Sequence, residues 1–131
     1  MIAALFSFMG ILGSLRDCGN GLGRAAILSM ESAPATPVVG QNVSLWVNYD
    51  LPAPAITGGT ATYTFKLNGL PFSPSVEDLC TQTACPIEPG VHNESSSSEW
   101  SGGISGKIVS QILWRDQNDA LVWCVETTWS V

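Results

Sequence analysis

The residues best placed by type and spacing to do chemistry are Cys80 and Cys85, in the stretch Cys-Thr-Gln-Thr-Ala-Cys-Pro. A zinc site, a redox pair and a short disulfide loop can all be written this way. A ribbon- or finger-type zinc site takes four ligands, usually as two close pairs, and this chain has one such pair. Cys18 and Cys124 lie near opposite ends, and the single histidine, His92, falls in Val91-His92-Asn93-Glu94-Ser95, which reads as a polar loop. No metal site is expected. A redox centre would favour the CxxC spacing that lowers a thiol pKa, and the spacing here is looser. That leaves structural disulfides, for which four cysteines allow three connectivities. In one of them Cys80 closes a short loop with Cys85 and leaves Cys18 to meet Cys124. Loop-closure entropy gives about 2 kcal/mol for the short link and about 5 kcal/mol for the long one.

Other chemistries are poorly supplied. The carboxylates Glu77, Asp78, Glu88, Asp116 and Asp119 read as solvated loop residues, and no motif for acyl or phosphoryl transfer accompanies them, so an enzyme is not expected. The net charge is −6, and the five Lys and Arg residues (Arg16, Arg24, Lys66, Lys107, Arg115) are scattered. Without a cationic stripe to neutralise phosphates, nucleic-acid binding is excluded.

The elements that position these residues are strands. The chain of 131 residues is about one domain long, charged residues make up only 12%, and there are 13 glycines and 8 prolines. That composition fits a turn-rich β domain. Val43, Leu45, Val47 and Tyr49 alternate along one strand, and Ala61, Tyr63, Phe65 and Leu67 along another. Further strands are expected at Arg24–Met30, Lys107–Trp114 and Ala120–Trp129, the last two joined by the polar turn 115–119. In the last strand Trp123, Val125, Thr127 and Trp129 share a face, and Cys124 lies on the other. The pattern predicts an all-β, immunoglobulin-like two-sheet β-sandwich. Residues 1–16, uncharged up to Arg16, read as a secretory signal peptide, leaving 17–131 as the domain. The sequons at Asn42 and Asn93 predict glycosylation. All of this fits a secreted or endolysosomal lumenal protein.

Asp17-Cys18-Gly19, Gly40-Gln41, Gly69-Leu70-Pro71-Phe72, Cys85-Pro86-Ile87, Trp114-Arg115-Asp116 and Trp123-Cys124 occur in an order that resembles the ML lipid-recognition family. Members of that family include the lumenal Niemann-Pick type C sterol carrier and the group 2 mite allergens. The resemblance implies a sandwich whose sheets splay around an apolar cavity, with Cys18 paired to Cys124 and Cys80 to Cys85. It implies a non-catalytic carrier of a sterol, phospholipid or fatty acid, with no other cofactor. On that basis the cavity would be lined by Leu28, Met30, Val43, Leu45, Val47, Tyr63, Phe65, Leu67, Ile108, Ile112, Trp123 and Val125. Leu70, Pro71 and Phe72 would border its entrance, with Phe72 as a gate. The expected partners are the lipid, a transiently contacted membrane and a lipid-receiving or receptor protein, with the chain itself a monomer. One departure is the turn Ser32-Ala33-Pro34-Ala35-Thr36-Pro37, which lacks the third disulfide of the sterol carrier; another is Ser95-Ser96-Ser97-Ser98-Glu99-Trp100, unusually polar for a strand near the cavity mouth. The competing reading is an immunoglobulin-like protein-binding module with a closed core.

Overall fold

In the computed structural model of the chain, which describes residues 13–34, 38–99 and 105–130, nine strands and one short helix follow one another. They are β1 (Gly13–Asp17), β2 (Ala26–Ala33), β3 (Asn42–Leu51), β4 (Gly59–Leu67), β5 (Leu70–Pro71), β6 (Ser75–Asp78), α1 (Leu79–Gln82), β7 (Gly90–Glu99), β8 (Lys107–Asp116) and β9 (Leu121–Ser130). One sheet runs β1-β9-β8-β4-β5, with β6 also paired to β4, and the other runs β2-β3-β7. Every pairing is antiparallel.

Strand alternation puts the inward residues of the larger sheet in ranks. Ala61, Trp114 and Trp123 share one rank, Tyr63, Ile112 and Val125 the next, then Phe65, Ser110 and Thr127, then Leu67, Ile108 and Trp129. On the smaller sheet Tyr49 pairs with His92, Val47 with Glu94, Leu45 with Ser96 and Val43 with Ser98. The ranks explain why the apolar core has two parts. One joins Val47, Tyr49 and Leu51 of β3 to Ala61, Trp114, Trp123 and Val125 across the sheets. The other, at the far end, gathers Val43, Ile108 and Trp129 with Phe65 and Leu67. Where the two parts adjoin lies the rank of Phe65, Ser110 and Thr127, in which Phe65 packs on the second core and Ser110 offers only a short polar side chain. Trp114 and Trp123 stack at 4.3 Å between ring centroids, with Tyr49 6.1 Å from each; such aromatic pairs add about 1 kcal/mol each beyond their buried area.

Several expectations need correction. The stretch around His92 is a strand, not a loop: all ten residues of β7 pair with β3. Leu28 is 55% exposed, because the β2–β3 register shifts between Ile27 and Ser29 and leaves Leu28 as the extra residue of a bulge. A bulge resets the period-2 phase, so Ile27, not Leu28, shares the core with Met30. Asp116 is buried, not solvated, at 4% exposure. Its Oδ1 accepts from the backbone N–H groups of Asn118 and Ala120, both at 2.9 Å, and its Oδ2 from Arg24 at 2.9 Å. Apart from these corrections, β1 spans the boundary drawn between residues 16 and 17, and its Arg16 is paired with Glu126 on β9. Residues 1–12 of the expected leader lie outside the described residues.

Candidate functional site

A cavity of about 440 Å³ opens between the two sheets. Its apolar wall comes from both layers: Leu45 and Val47 of β3 face Tyr63 of β4, Ile112 and Trp114 of β8 and Trp123 of β9. Its other wall is polar, made by Gln82 at the end of α1, Ser110 of β8 and the run from Glu94 to Ser98 on β7. β7 is an edge strand, and its residues from Ser95 to Glu99 are exposed, so the cavity meets solvent along that side.

The polar wall is held by specific bonds. Asp78 caps α1, its Oδ1 accepting from the N–H of Cys80 at 3.0 Å, which fixes the turn that carries Gln82. The Cys80–Cys85 disulfide closes the same loop. Tyr63 donates its hydroxyl proton to Gln82 Oε1 at 2.8 Å, and Thr83 donates to Glu94 Oε1 at 2.9 Å. Burial pushes the half-buried Glu94 carboxyl above its ordinary pKa, and the Thr83 bond and the nearby His92 only partly offset this. The Tyr49 hydroxyl is pushed up to about 12, first by burial and then by the Glu94 charge. Tyr63 is raised by burial, then by Glu77 and Glu94. His92 stacks on Tyr49 at 5.5 Å and hydrogen-bonds the Glu88 carbonyl through Nε2 at 2.6 Å. At the apolar end the Trp123 indole N–H is buried without a hydrogen-bond partner among the described residues.

Of the residues expected to line a cavity, the structure brings Leu45, Val47, Tyr63, Ile112 and Trp123 together around it. Met30 and Val125 pack in the adjoining core, while Val43, Phe65, Leu67 and Ile108 build the second core at the other end. Leu28 points away, at the bulge. Leu70, Pro71 and Phe72 are exposed at the sheet edge and are not part of the cavity wall. The Phe72 ring sits edge-on to Phe65, with centroids 5.4 Å apart. The two-residue turn Asn68-Gly69, both at positive φ, sets up this edge by folding Leu70 back onto Leu67. That Asn-Gly pair is a strong hairpin signal in the sequence.

Sequence reasoning named none of Trp114, Gln82, Glu94 and Ser110 as lining, and placed the polar stretch 95–100 only as a strand near the cavity mouth. Trp114 could have been found from its period-2 spacing with Ile108 and Ile112. The inward column His92, Glu94, Ser96, Ser98 carries no apolar residue to mark it. Of the two sequon asparagines, Asn42 is exposed at the start of β3, and Asn93 is exposed on β7, where its amide donates to Asn48. The disulfides are Cys18–Cys124, which ties the end of β1 to β9, and Cys80–Cys85. Among the described residues, no group of three or more His, Cys, Asp or Glu side chains is arranged to hold a metal ion.

The sequence model of the ML domain matches residues 14–131. The chain belongs to the ML domain family. Among relatives, a Dictyostelium discoideum protein named, by inference, as a phosphatidylglycerol/phosphatidylinositol transfer protein is 25% identical over 114 residues, covering 84% of this chain and 80% of its own. Among solved structures, a Niemann-Pick type C2 protein from the Japanese carpenter ant superposes with a TM-score of 0.66 at 11% identity, covering 88% of this chain and 96% of that one. Chicken MD-1, solved with lipid IVa, gives 0.61 at 11% identity, covering 90% and 88%. At such identities the structural likeness establishes the ML β-sandwich fold. The match beginning at residue 14 agrees with β1 being part of the domain.

Proposed function

We propose that this ML domain is a non-catalytic lipid carrier, secreted or lumenal, that holds the apolar part of a sterol or other lipid between its sheets. The observation that carries this reading is the cavity of about 440 Å³ lined by residues of both sheets. Ligand pockets of small amphipathic molecules fall in this size range and combine apolar walls with a few polar groups. A closed core would favour a protein-binding module; here side chains of both sheets, Leu45 and Val47 on one and Tyr63, Ser110 and Ile112 on the other, face a shared open space. Each buried CH₂ contributes about 0.8 kcal/mol, so a ten-carbon stretch gives about 8 kcal/mol before association costs. No proton transfer or covalent step is needed for such a role.

The test is transfer of a fluorescent lipid from quenched donor vesicles to acceptor vesicles. Ile112→Trp enlarges a side chain that faces the cavity and should abolish most transfer while leaving the melting temperature within a few degrees. Transfer at the wild-type rate by a folded Ile112→Trp protein would contradict the assignment of this cavity.

A further inference from the structure

The carrier reading leaves open which head group the cavity accepts, and the polar wall bears on that. Among the described residues, Glu94 is the one charged residue in the lining. The chain has only five Lys and Arg residues, and none of them lines the cavity. Arg16 is paired with Glu126, Arg24 with Asp116 and Arg115 with Asp119, while Lys66 and Lys107 are exposed on β4 and β8. Glu94 keeps one hydrogen bond, from Thr83, and a carboxylate can accept several more. Beyond it along β7 the inward positions are Ser96 and Ser98, with Ser110 on the opposite sheet. Hydroxyls both donate and accept, so this wall offers partners to a hydroxylated head and no cation to a phosphate.

We propose that the cavity selects lipids with an uncharged, hydroxyl-bearing head group, and that Glu94 sets this selectivity by accepting hydrogen bonds from the head and repelling anionic phosphate. This rests on the carrier reading. The tail then lies against Leu45, Val47, Ile112, Trp114 and Trp123, and the head at the β7 side, where the cavity meets solvent. The selectivity differs from what the name of the Dictyostelium relative indicates for that protein, which is two anionic phospholipids. A negative charge brought beside a half-buried carboxylate, with no Lys or Arg in the lining to offset it, is repelled more strongly than in bulk water. The upward push that Glu94 exerts on both Tyr49 and Tyr63 reflects the same field.

The experiment offers the delipidated full chain phosphatidylcholine vesicles carrying equal small amounts of dioleoyl monoglucosyl diacylglycerol and dioleoyl phosphatidylglycerol, so that both lipids share chains and encounter surface. Protein is separated from the vesicles and its bound lipids are quantified by mass spectrometry. Wild type should hold the glucolipid over phosphatidylglycerol by about tenfold or more. Glu94→Gln, whose amide oxygen can still accept from Thr83, should bring the ratio close to one. Ser96→Lys, which adds the missing cation without touching the Thr83 bond, should favour phosphatidylglycerol. A ratio near one in wild type, or an unchanged ratio in both variants, would overturn the head-group inference while leaving the carrier standing. Absence of bound lipid from all three folded proteins would overturn the carrier reading and this inference with it.

Discussion

Asp116 shows how one residue can be misjudged from its neighbours in sequence. Flanked by Arg115 and Gln117, it reads as part of a polar turn, yet the β8–β9 hairpin folds over it and Arg24 reaches it from the other sheet's side of the chain. Arg24 also donates to the carbonyls of Pro52 and Pro54, so the pair ties the start of β2 to a loop and a hairpin. Burial alone would raise the Asp116 pKa, but the Ala120 and Asn118 N–H bonds and Arg24 together hold it below its ordinary value. A depressed folded pKa means that the stabilisation is complete above the unfolded value and is lost as pH falls through the folded one. Asp116→Asn leaves the Arg24 charge unpaired and should cost about 3 kcal/mol at pH 7. In denaturant titrations the gap between wild type and variant should narrow as pH falls into the range where Asp116 takes up its proton. A gap of constant size from pH 7 down to pH 2 would show that the ion pair does not supply it.

At the scale of elements, strands whose inner face is apolar were legible and the one whose inner face is polar was not. β3, β4, β8 and β9 each carry the alternation that marks a half-buried strand, and their expected positions agree with the structure to within a few residues. The first half of β7 read as a loop because its inward residues His92 and Glu94 are polar, and the stretch 95–100 read as a strand only through the family resemblance; the strand character of β7 comes from pairing with β3, a tertiary effect. The β2 bulge was equally hidden, since Leu28 and Met30 look like members of one row until the phase shift is seen. The cavity was therefore half legible: its apolar wall could be drawn from periodicity and family resemblance, its polar wall could not. The disulfides belong to this scale because each secures an element. Cys18–Cys124 joins residues 106 apart and anchors β1 beside β9, whereas Cys80–Cys85 closes a loop of five. Replacing the first pair by alanines should cost about 5 kcal/mol and the second about 2 kcal/mol. Equal losses in chemical denaturation would mean that the long link does not restrict the unfolded chain as loop closure requires.

For the whole molecule, charge and cavity act together. With a net charge of −6 and a sequence pI of about 4.4, the protein is repelled by anionic membranes at neutral pH, and the repulsion fades as carboxylates take up protons. Transfer between anionic vesicles should quicken at pH 5 relative to pH 7.4; equal or slower transfer would remove charge as the control of membrane contact. The central claim is more basic, that the space between the sheets exists to hold a lipid. The most direct measurement is mass spectrometry of the organic extract of the protein purified natively after secretion from a eukaryotic host, set against a denatured and refolded control. The native protein should carry a lipid near one mole per mole and the control none. A native extract without lipid, together with no change in melting temperature on adding sterols, glycolipids or phospholipids, would contradict that claim.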